Sequence, residues 1–321
     1  MVYSAIKGTG SALPKNILTN ADLEKMVDTT DEWIVDRTGI KQRHIAKGET
    51  TNSLAADAAR AAMAAANIKP EDIDLIIVGT ATPDRVFPST ACHLQASLGT
   101  GECIAFDVQA ACSGFIYALS VADSFIKSNM AKTALVIGAE CLSWMIDWSD
   151  RSTCVLFGDG AGAVILGQSD SPGILSSSLH ANGDYADYLF VDNPYSYEGK
   201  NENFEVTHLQ MIGNKVFKMA VSKLGKLVTD VVEKHKLDPD EIDWLIPHQA
   251  NDRIIKATAD RLGMPMSKVV RTVDIHGNTS AASVPLALDH AVRNGQVKKG
   301  QLCLLEAFGA GLTWGSVLVR I

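Results

Sequence analysis

The sequence holds no C-x-x-C pair. Its six cysteines stand at 92, 103, 112, 141, 154 and 303, which leaves no spacing suited to a metal or redox motif and, in a chain of 321 residues, no need of a disulfide framework. No apolar run approaches the roughly 20 residues of a membrane span, and the opening "MVYSAIKGTGSALPKN" lacks the basic and long apolar segments of a secretory signal. The expectation is a soluble, cytoplasmic protein. Basic charge is also scarce: 29 Lys and Arg against 37 Asp and Glu give a net charge of -8, which argues against broad nucleic-acid or membrane-surface binding. Any basic docking site has to be local.

The remaining composition, 46% apolar and 21% charged, is that of an ordinary globular chain. Helix-like and strand-like segments alternate. "SLAADAARAAMAAANI" is rich in helix formers and is followed by the β-branched run "IDLIIVGTAT". Strand "CIAFDV", helix "CSGFIYALSVADSFIKSN" and strand "ALVIGAE" come next, and later helix "KVFKMAVSKLGKLVTDVVEKH", strand "WLIP", helix "DRIIKATADRL" and strand "LCLLEAF". This order implies an α/β architecture with buried parallel or mixed sheets.

The pattern repeats within the chain. "IKPEDIDLII" at 68 to 77 matches "LDPDEIDWLI" at 237 to 246, an offset of 169 residues, and the same offset lays "ACSGFIYAL" over "SAASVPLAL". The chain reads as a duplicated unit, with halves 1–170 and 171–321 meeting near "GQSDSPG". Duplication brings corresponding strand ends to a common centre, and ligands of α/β sheets bind beyond the carboxyl ends of strands. Three segments fall there: "AACSG" after "CIAFDV", "PHQAN" after "WLI", and "HGNTSAAS" after "VVRTVDI", itself read as a strand.

Taken singly, their residues have ordinary roles. A free cysteine such as Cys112 serves as a small buried hydrophobe, a histidine such as His248 serves structure as well as catalysis, and Asn278 suits a turn or helix cap. Together they suit acyl transfer. A cysteine opening a helix is expected to have a lowered pKa, a histidine can pair with it, and an amide can donate to a developing oxyanion.

"AACSGF", "PHQAN", "HGNTSAAS", "FGDGAGA" and "EAFGAGLTWG" resemble, in order and spacing, β-ketoacyl-acyl-carrier-protein synthase III of the thiolase-like condensing enzymes. The resemblance implies the five-layered αβαβα thiolase fold, a homodimer and a catalytic set of Cys112, His248 and Asn278. Cys112 would take an acyl group from acyl-coenzyme A. Malonyl-carrier-protein would then lose carbon dioxide, and its enolate, held by His248 and Asn278, would attack that acyl group. Asparagine in place of a second histidine separates this type from the elongating synthases and implies chain initiation. The oxyanion donors would be the backbone N–H groups of Cys112 and Ala310, where many relatives carry glycine. A backbone donor survives the methyl group provided Ala310 need not adopt a glycine-only conformation.

The same resemblance implies the substrate contacts. Trp33 and Arg151 would sandwich the adenine of coenzyme A, Arg37 would meet its phosphates, and Thr29, Phe217 and Asn251 would line the channel. Phe87 would close a short acyl pocket from the partner subunit, alongside Leu142, Phe157 and Leu189. Acyl carrier protein is acidic, so docking calls for a local basic patch. Lys218 and Arg253 match family docking positions, and Lys215 and Lys256 extend the patch. No metal and no cofactor beyond the coenzyme A thioester substrate are implied.

Two other readings stay open. One is a related condensing enzyme of secondary metabolism, making quinolone or polyketide starters. The other is an acyltransferase that binds coenzyme A esters without condensing them. "GDGAGA" at 158 to 163 fits a loose dinucleotide fingerprint but leads into "VIL", a strand-like run, where that fingerprint needs a helix. His276 is read as structural.

Overall fold

A computed structural model describes residues 2–193 and 207–321. Nine strands make two sheets. The first holds β1 (Tyr3–Ala12), β2 (Leu75–Gly79), β3 (Ile104–Val108), β4 (Thr133–Glu140) and β5 (Gly160–Ser169), and the second β6 (Ile174–Ala181), β7 (Trp244–Pro247), β8 (Leu302–Gly309) and β9 (Thr313–Arg320). Seven helices of eight residues or more pack with them: α1 (Asp31–Thr38), α2 (Thr51–Ala66), α3 (Thr90–Leu98), α4 (Gly114–Lys127), α5 (Gly213–His235), α6 (Asp252–Leu262) and α7 (Ser283–Arg293).

The strands alternate between two buried faces. Leu75 and Ile77 of β2 join the central core with Phe115, Ile116 and Leu119 of α4 and Leu288 of α7. Ile76 and Val78 face the opposite way, onto Leu54, Ala58 and Ala62 of α2 and Leu94 of α3. On the second sheet Leu305 and Ala307 look into the central core, and Leu304 looks out onto Val228 and Ala259 of α5 and α6. The result is five layers: α2 and α3, the first sheet, α4 and α7, the second sheet, α5 and α6. Period-2 strands apolar on both faces are what a sheet covered by helices on each side requires.

The 169-residue echo is a structural repeat. The first sheet runs β1-β5-β4-β2-β3. The second runs β6-β9-β8-β7, with Val269 bridging Leu245 of β7 where a fifth strand would lie. One side-chain contact recurs at the start of the repeated strands. Asp74 accepts from the Thr133 amide at 3.1 Å and Asp243 from the Leu302 amide at 2.7 Å. Ala111 and Ser280, again one repeat apart, both adopt left-handed backbone, with φ of 45° and 49°.

One expected strand is absent. "VVRTVDI" is apolar and β-branched, yet only Val269 makes a bridge, and the chain turns into a short helix at Val273–His276. The cause is Gln249. Its buried Oε1 accepts from the amides of Thr272 and Val273 at 2.8 and 3.1 Å, so those donors are taken before a sheet ladder can use them. The "GDGAGA" stretch opens β5, as expected.

Candidate active site

Cys112 lies in a 3-10 turn, Ala111–Ser113, between β3 and α4. The turn begins on the left-handed Ala111, a conformation that costs an L-residue about 1–2 kcal/mol and is held by what surrounds it. Ser113 Oγ donates to the Thr313 carbonyl at 3.1 Å, and the Thr313 hydroxyl lies 3.0 Å from the carbonyls of both Ala110 and Ala310. The end of β8 lies against the same turn. A Cβ on Gly309 would stand 2.7 Å from the Cys112 nitrogen and 3.0 Å from that of Ser113, so this close approach needs a residue without a side chain. The left-handed residue of "GAG" is Gly311, with φ of 130°, and not Ala310. The alanine methyl therefore imposes no forbidden backbone.

Burial works against the expected lowering of the thiol pKa. Burial pushes Cys112 up to about 12, the hydrogen bond from Ser280 opposes this only in part, and the Glu140 carboxylate adds to it. The helix itself starts at Gly114, so Cys112 sits just off its N-terminus, where the helix-end field favours the thiolate against the effect of burial.

Cys112, His248 and Asn278 are 7%, 4% and 6% exposed, and the segment 280–283 links them. Ser280 hydrogen-bonds the Cys112 thiol through its side chain, and its amide donates to Asn278 Oδ1 at 2.9 Å. With that oxygen committed, the Asn278 NH2 group is left as the free, donating end. Ser283 Oγ lies 2.6 Å from His248 Nδ1 and accepts the Gln249 amide at 3.4 Å. With the serine proton donated to Nδ1, the ring proton sits on Nε2, the tautomer in which His248 can donate into the site. Burial lowers the His248 pKa to about 3, so the ring is neutral at pH 7. Two neutral donors, His248 Nε2–H and the Asn278 amide, are the outcome. Such groups stabilise a developing oxyanion without having to titrate.

Sequence reasoning missed Ser280, Ser283 and Gln249. The signal was present in "HGNTSAAS" and "PHQAN": a buried histidine and asparagine each need a group that fixes which end donates. His276 is buried, with His44 and His290 rings 6.2 and 6.1 Å away, both edge-on.

The other sequence-selected residues fall in three places. Arg37 and Arg151 each stand 4.9 Å from the Trp33 ring centroid, and Asn251 joins them by donating to the Arg37 carbonyl at 3.0 Å while capping α6. At 4.9 Å Arg151 is in direct contact with the indole, so a base stacked between them requires the arginine to move. Thr29 has a buried hydroxyl without a partner, and Phe217 lies under Arg253, 5.5 Å from the guanidinium. Leu142 and Phe157 are buried in one apolar cluster, and Leu189 packs against it. Phe87 is elsewhere, 82% exposed. Lys215 and Lys218 on α5 and Arg253 and Lys256 on α6 are all exposed, on two helices that pack side by side. Lys215 covers the Tyr188 ring at 4.6 Å.

Comparison with known proteins agrees with this geometry. The family profile for 3-oxoacyl-[acyl-carrier-protein (ACP)] synthase III matches residues 106–183, and the profile for its C-terminal part matches residues 232–321. The chain is 60% identical over the full length of both proteins to β-ketoacyl-[acyl-carrier-protein] synthase III of Thioalkalivibrio sulfidiphilus. It is 59% identical to the Xylella fastidiosa protein of the same name, covering 99% of this chain and 98% of that one. The crystal structure of 3-oxoacyl-[acyl-carrier-protein] synthase III from Aquifex aeolicus superposes with a TM-score of 0.94 at 52% identity, covering 99% of this chain and 100% of that one. The repeated five-layer fold is therefore that of a known group, and the chain belongs to the 3-oxoacyl-[acyl-carrier-protein] synthase III family.

Proposed function

We propose that this protein condenses a short acyl-coenzyme A primer with malonyl-acyl-carrier-protein, the step that initiates fatty acid synthesis. The observation that carries the mechanism is the pair of donors fixed by Ser283 and Ser280 beside a buried cysteine. Cys112 Sγ attacks the thioester carbonyl, the new S–C bond forms, and the bond to the coenzyme A sulfur breaks. Malonyl-carrier-protein then loses carbon dioxide. His248 Nε2–H and the Asn278 amide hold the enolate oxygen, its carbon attacks the acyl group, and Cys112 leaves as a thiolate. The chemistry needs no cofactor beyond the thioester substrate, and the cytoplasm, which supplies it, is the fitting compartment.

The remaining assignments rest on placement. Trp33, Arg37 and Arg151 form a cationic, aromatic platform suited to a nucleotide, with Thr29, Phe217 and Asn251 lining the way inward. The exposed cations of α5 and α6 suit an acidic carrier protein. Leu142, Phe157 and Leu189 would line the acyl pocket, and Phe87 would complete it in a homodimer by entering the partner's pocket, which accounts for an exposed aromatic on a single chain. The halves 1–170 and 171–321 would be the two copies of the duplicated unit.

The test is intact mass after exposure to a panel of acyl-coenzyme A thioesters, followed by product analysis with malonyl-carrier-protein. One acyl group should add, and Cys112→Ser should abolish the addition. Mass gain persisting on another cysteine in that variant refutes the assignment.

A further inference from the structure

Arg43 is wholly buried, and none of its hydrogen bonds goes to a carboxylate. It sits on a two-stranded ribbon, Ile17–Thr19 paired with Gln42–His44. A buried cation without a counter-ion is destabilising by itself, which turns attention to what it holds. Nη1 donates to the Leu18 carbonyl at 3.2 Å and to Asn20 Oδ1 at 2.9 Å, and Nη2 donates to the Val155 carbonyl at 2.8 Å. Burial lowers the guanidinium pKa only to about 10, so the group is charged at pH 7.

These acceptors lead to the two arms of the aromatic, cationic platform. Asn20, its oxygen committed to Arg43, donates from Nδ2 to Asp31 Oδ1 and to the Ile40 carbonyl, both at 2.8 Å. Asp31 is the first residue of α1 and Ile40 lies just beyond its end, so Asn20 grips at both ends the helix that carries Trp33 and Arg37. Val155 caps the carboxyl end of the short helix Arg151–Cys154. One guanidinium therefore ties the Trp33 arm to the Arg151 arm. At the surface the same arms also touch, because Arg151 donates to the Asp28 carbonyl at 2.6 Å and lies over the Trp33 ring. A base entering between Trp33 and Arg151 has to open that contact. The buried tie through Arg43 has no need to open.

We propose that Arg43, acting through Asn20 and Val155, is the positioning residue that fixes the spacing of the nucleotide platform. This role presupposes that Trp33, Arg37 and Arg151 receive the nucleotide end of coenzyme A. The planar fork is what the position requires: Nη1 and Nη2 reach two elements at once in fixed geometry, which the single ammonium of a lysine cannot do. The effect of Arg43 falls on the nucleotide end of the donor and not on the thioester end.

The test compares self-acylation by acetyl-coenzyme A with self-acylation by acetyl-pantetheine, which has the same thioester and no nucleotide, read as intact mass across donor concentration. Arg43→Met keeps a stem beside Gly158 and Gly277 and removes the fork. It should raise the half-saturating concentration of acetyl-coenzyme A by about 10-fold, the scale of a lost charge-assisted hydrogen bond, and change the maximal rate by no more than about twofold. The loss with acetyl-pantetheine should also stay within about twofold. A role in stability alone would slow both donors alike. Arg43→Lys keeps the charge without the fork and should lose as much as the methionine variant. If neither variant folds, Asp31→Ala carries the test, since Asp31 is exposed and the change cuts the link from Asn20 to α1. It should show the same donor-selective loss, about 3- to 10-fold, and Asp31→Asn, which keeps an Oδ1 acceptor, should restore binding. Equal effects on the two donors in the Arg43 and Asp31 variants, with Trp33→Ala still selective against acetyl-coenzyme A, overturn the positioning role alone. If Trp33→Ala is itself unselective, the platform does not receive the nucleotide and the role of Arg43 falls with it.

Discussion

Replacing Gly309 with alanine tests whether the end of β8 holds the nucleophile in place. The added Cβ would lie 2.7 Å from the Cys112 nitrogen, 3.0 Å from the Ser113 nitrogen and 3.2 Å from the Ala110 oxygen. All three are backbone atoms and cannot rotate aside. Comfortable contacts start near about 3.5 Å, so the turn or the strand must shift by roughly half an ångström or more. Overpacking of this kind costs about 1–3 kcal/mol. In a chain of this size that corresponds to a fall in melting temperature of about 1–5 °C. The larger effect is on rate, since a displacement approaching 1 Å at a reacting group costs about 10²-fold, and here the displaced unit carries both the Sγ proposed to attack and the amide proposed to hold the oxyanion. Thermal unfolding and the rate of self-acylation by acetyl-coenzyme A measure the two consequences. Gly183→Ala is the control, because no atom lies within 4 Å of its added Cβ, and its stability should stay within about 0.5 kcal/mol of wild type. If Gly309→Ala melts with the control and acylates at the wild-type rate, the supporting contact has no catalytic meaning.

Ser283→Ala leaves His248 Nδ1 and the Gln249 amide without their shared partner, a cost of about 1–3 kcal/mol. Malonyl decarboxylation should fall by more than Cys112 acylation, and equal losses in the two partial assays refute the tautomer argument. Arg253→Glu should raise KM for malonyl-carrier-protein and flatten its salt dependence, with a smaller change for malonyl-coenzyme A. Equal losses with both donors refute a carrier-specific patch. Phe87→Thr should shift acylation from acetyl toward isobutyryl and octanoyl donors, each added methylene buried being worth about 0.8 kcal/mol. An unchanged order of preference shows that Phe87 is not the gate.

What was legible in the sequence was whatever local periodicity or residue chemistry dictates. Helix 252–262 has its expected ends because Asn251 caps it and Gly263 stops it in a left-handed conformation. Strand 244–247 is apolar on both faces because both are buried. Other segments follow from distant partners. β6 reads "ILSSSLHA", a serine run with no strand pattern, yet it pairs along β9 and its hydroxyls find partners across the fold. Ser177 meets Ser120 at 2.7 Å and Ser176 meets His235 at 2.6 Å. "VVRTVDI" has the opposite history, a strand pattern overridden by one glutamine side chain. The candidate triad was legible as residues and motif. Its protonation was not, because the state of His248 depends on Ser283 in another element and the pKa of Cys112 on how much of the fold covers it.

The repeat shows how such a site arises from two copies of one scaffold. Both copies place a left-handed residue before a 3-10 turn that feeds a central helix, at Ala111 and at Ser280. The two turns touch: a Cβ on Gly114 would lie 3.3 Å from the Ala281 side chain. With identical side chains the pair would be symmetric and chemically inert. The first copy has cysteine after its left-handed residue, and the second has alanine there, at 281. The second copy instead has a hydroxyl on the left-handed residue itself, which donates to Glu140 Oε1 at 3.1 Å, with Asn278 and Ser283 flanking it. In the proposed mechanism, catalytic asymmetry thus resides in a few side chains at a junction whose backbone both copies supply. This is why the 169-residue echo, which carries no chemistry of its own, locates the site.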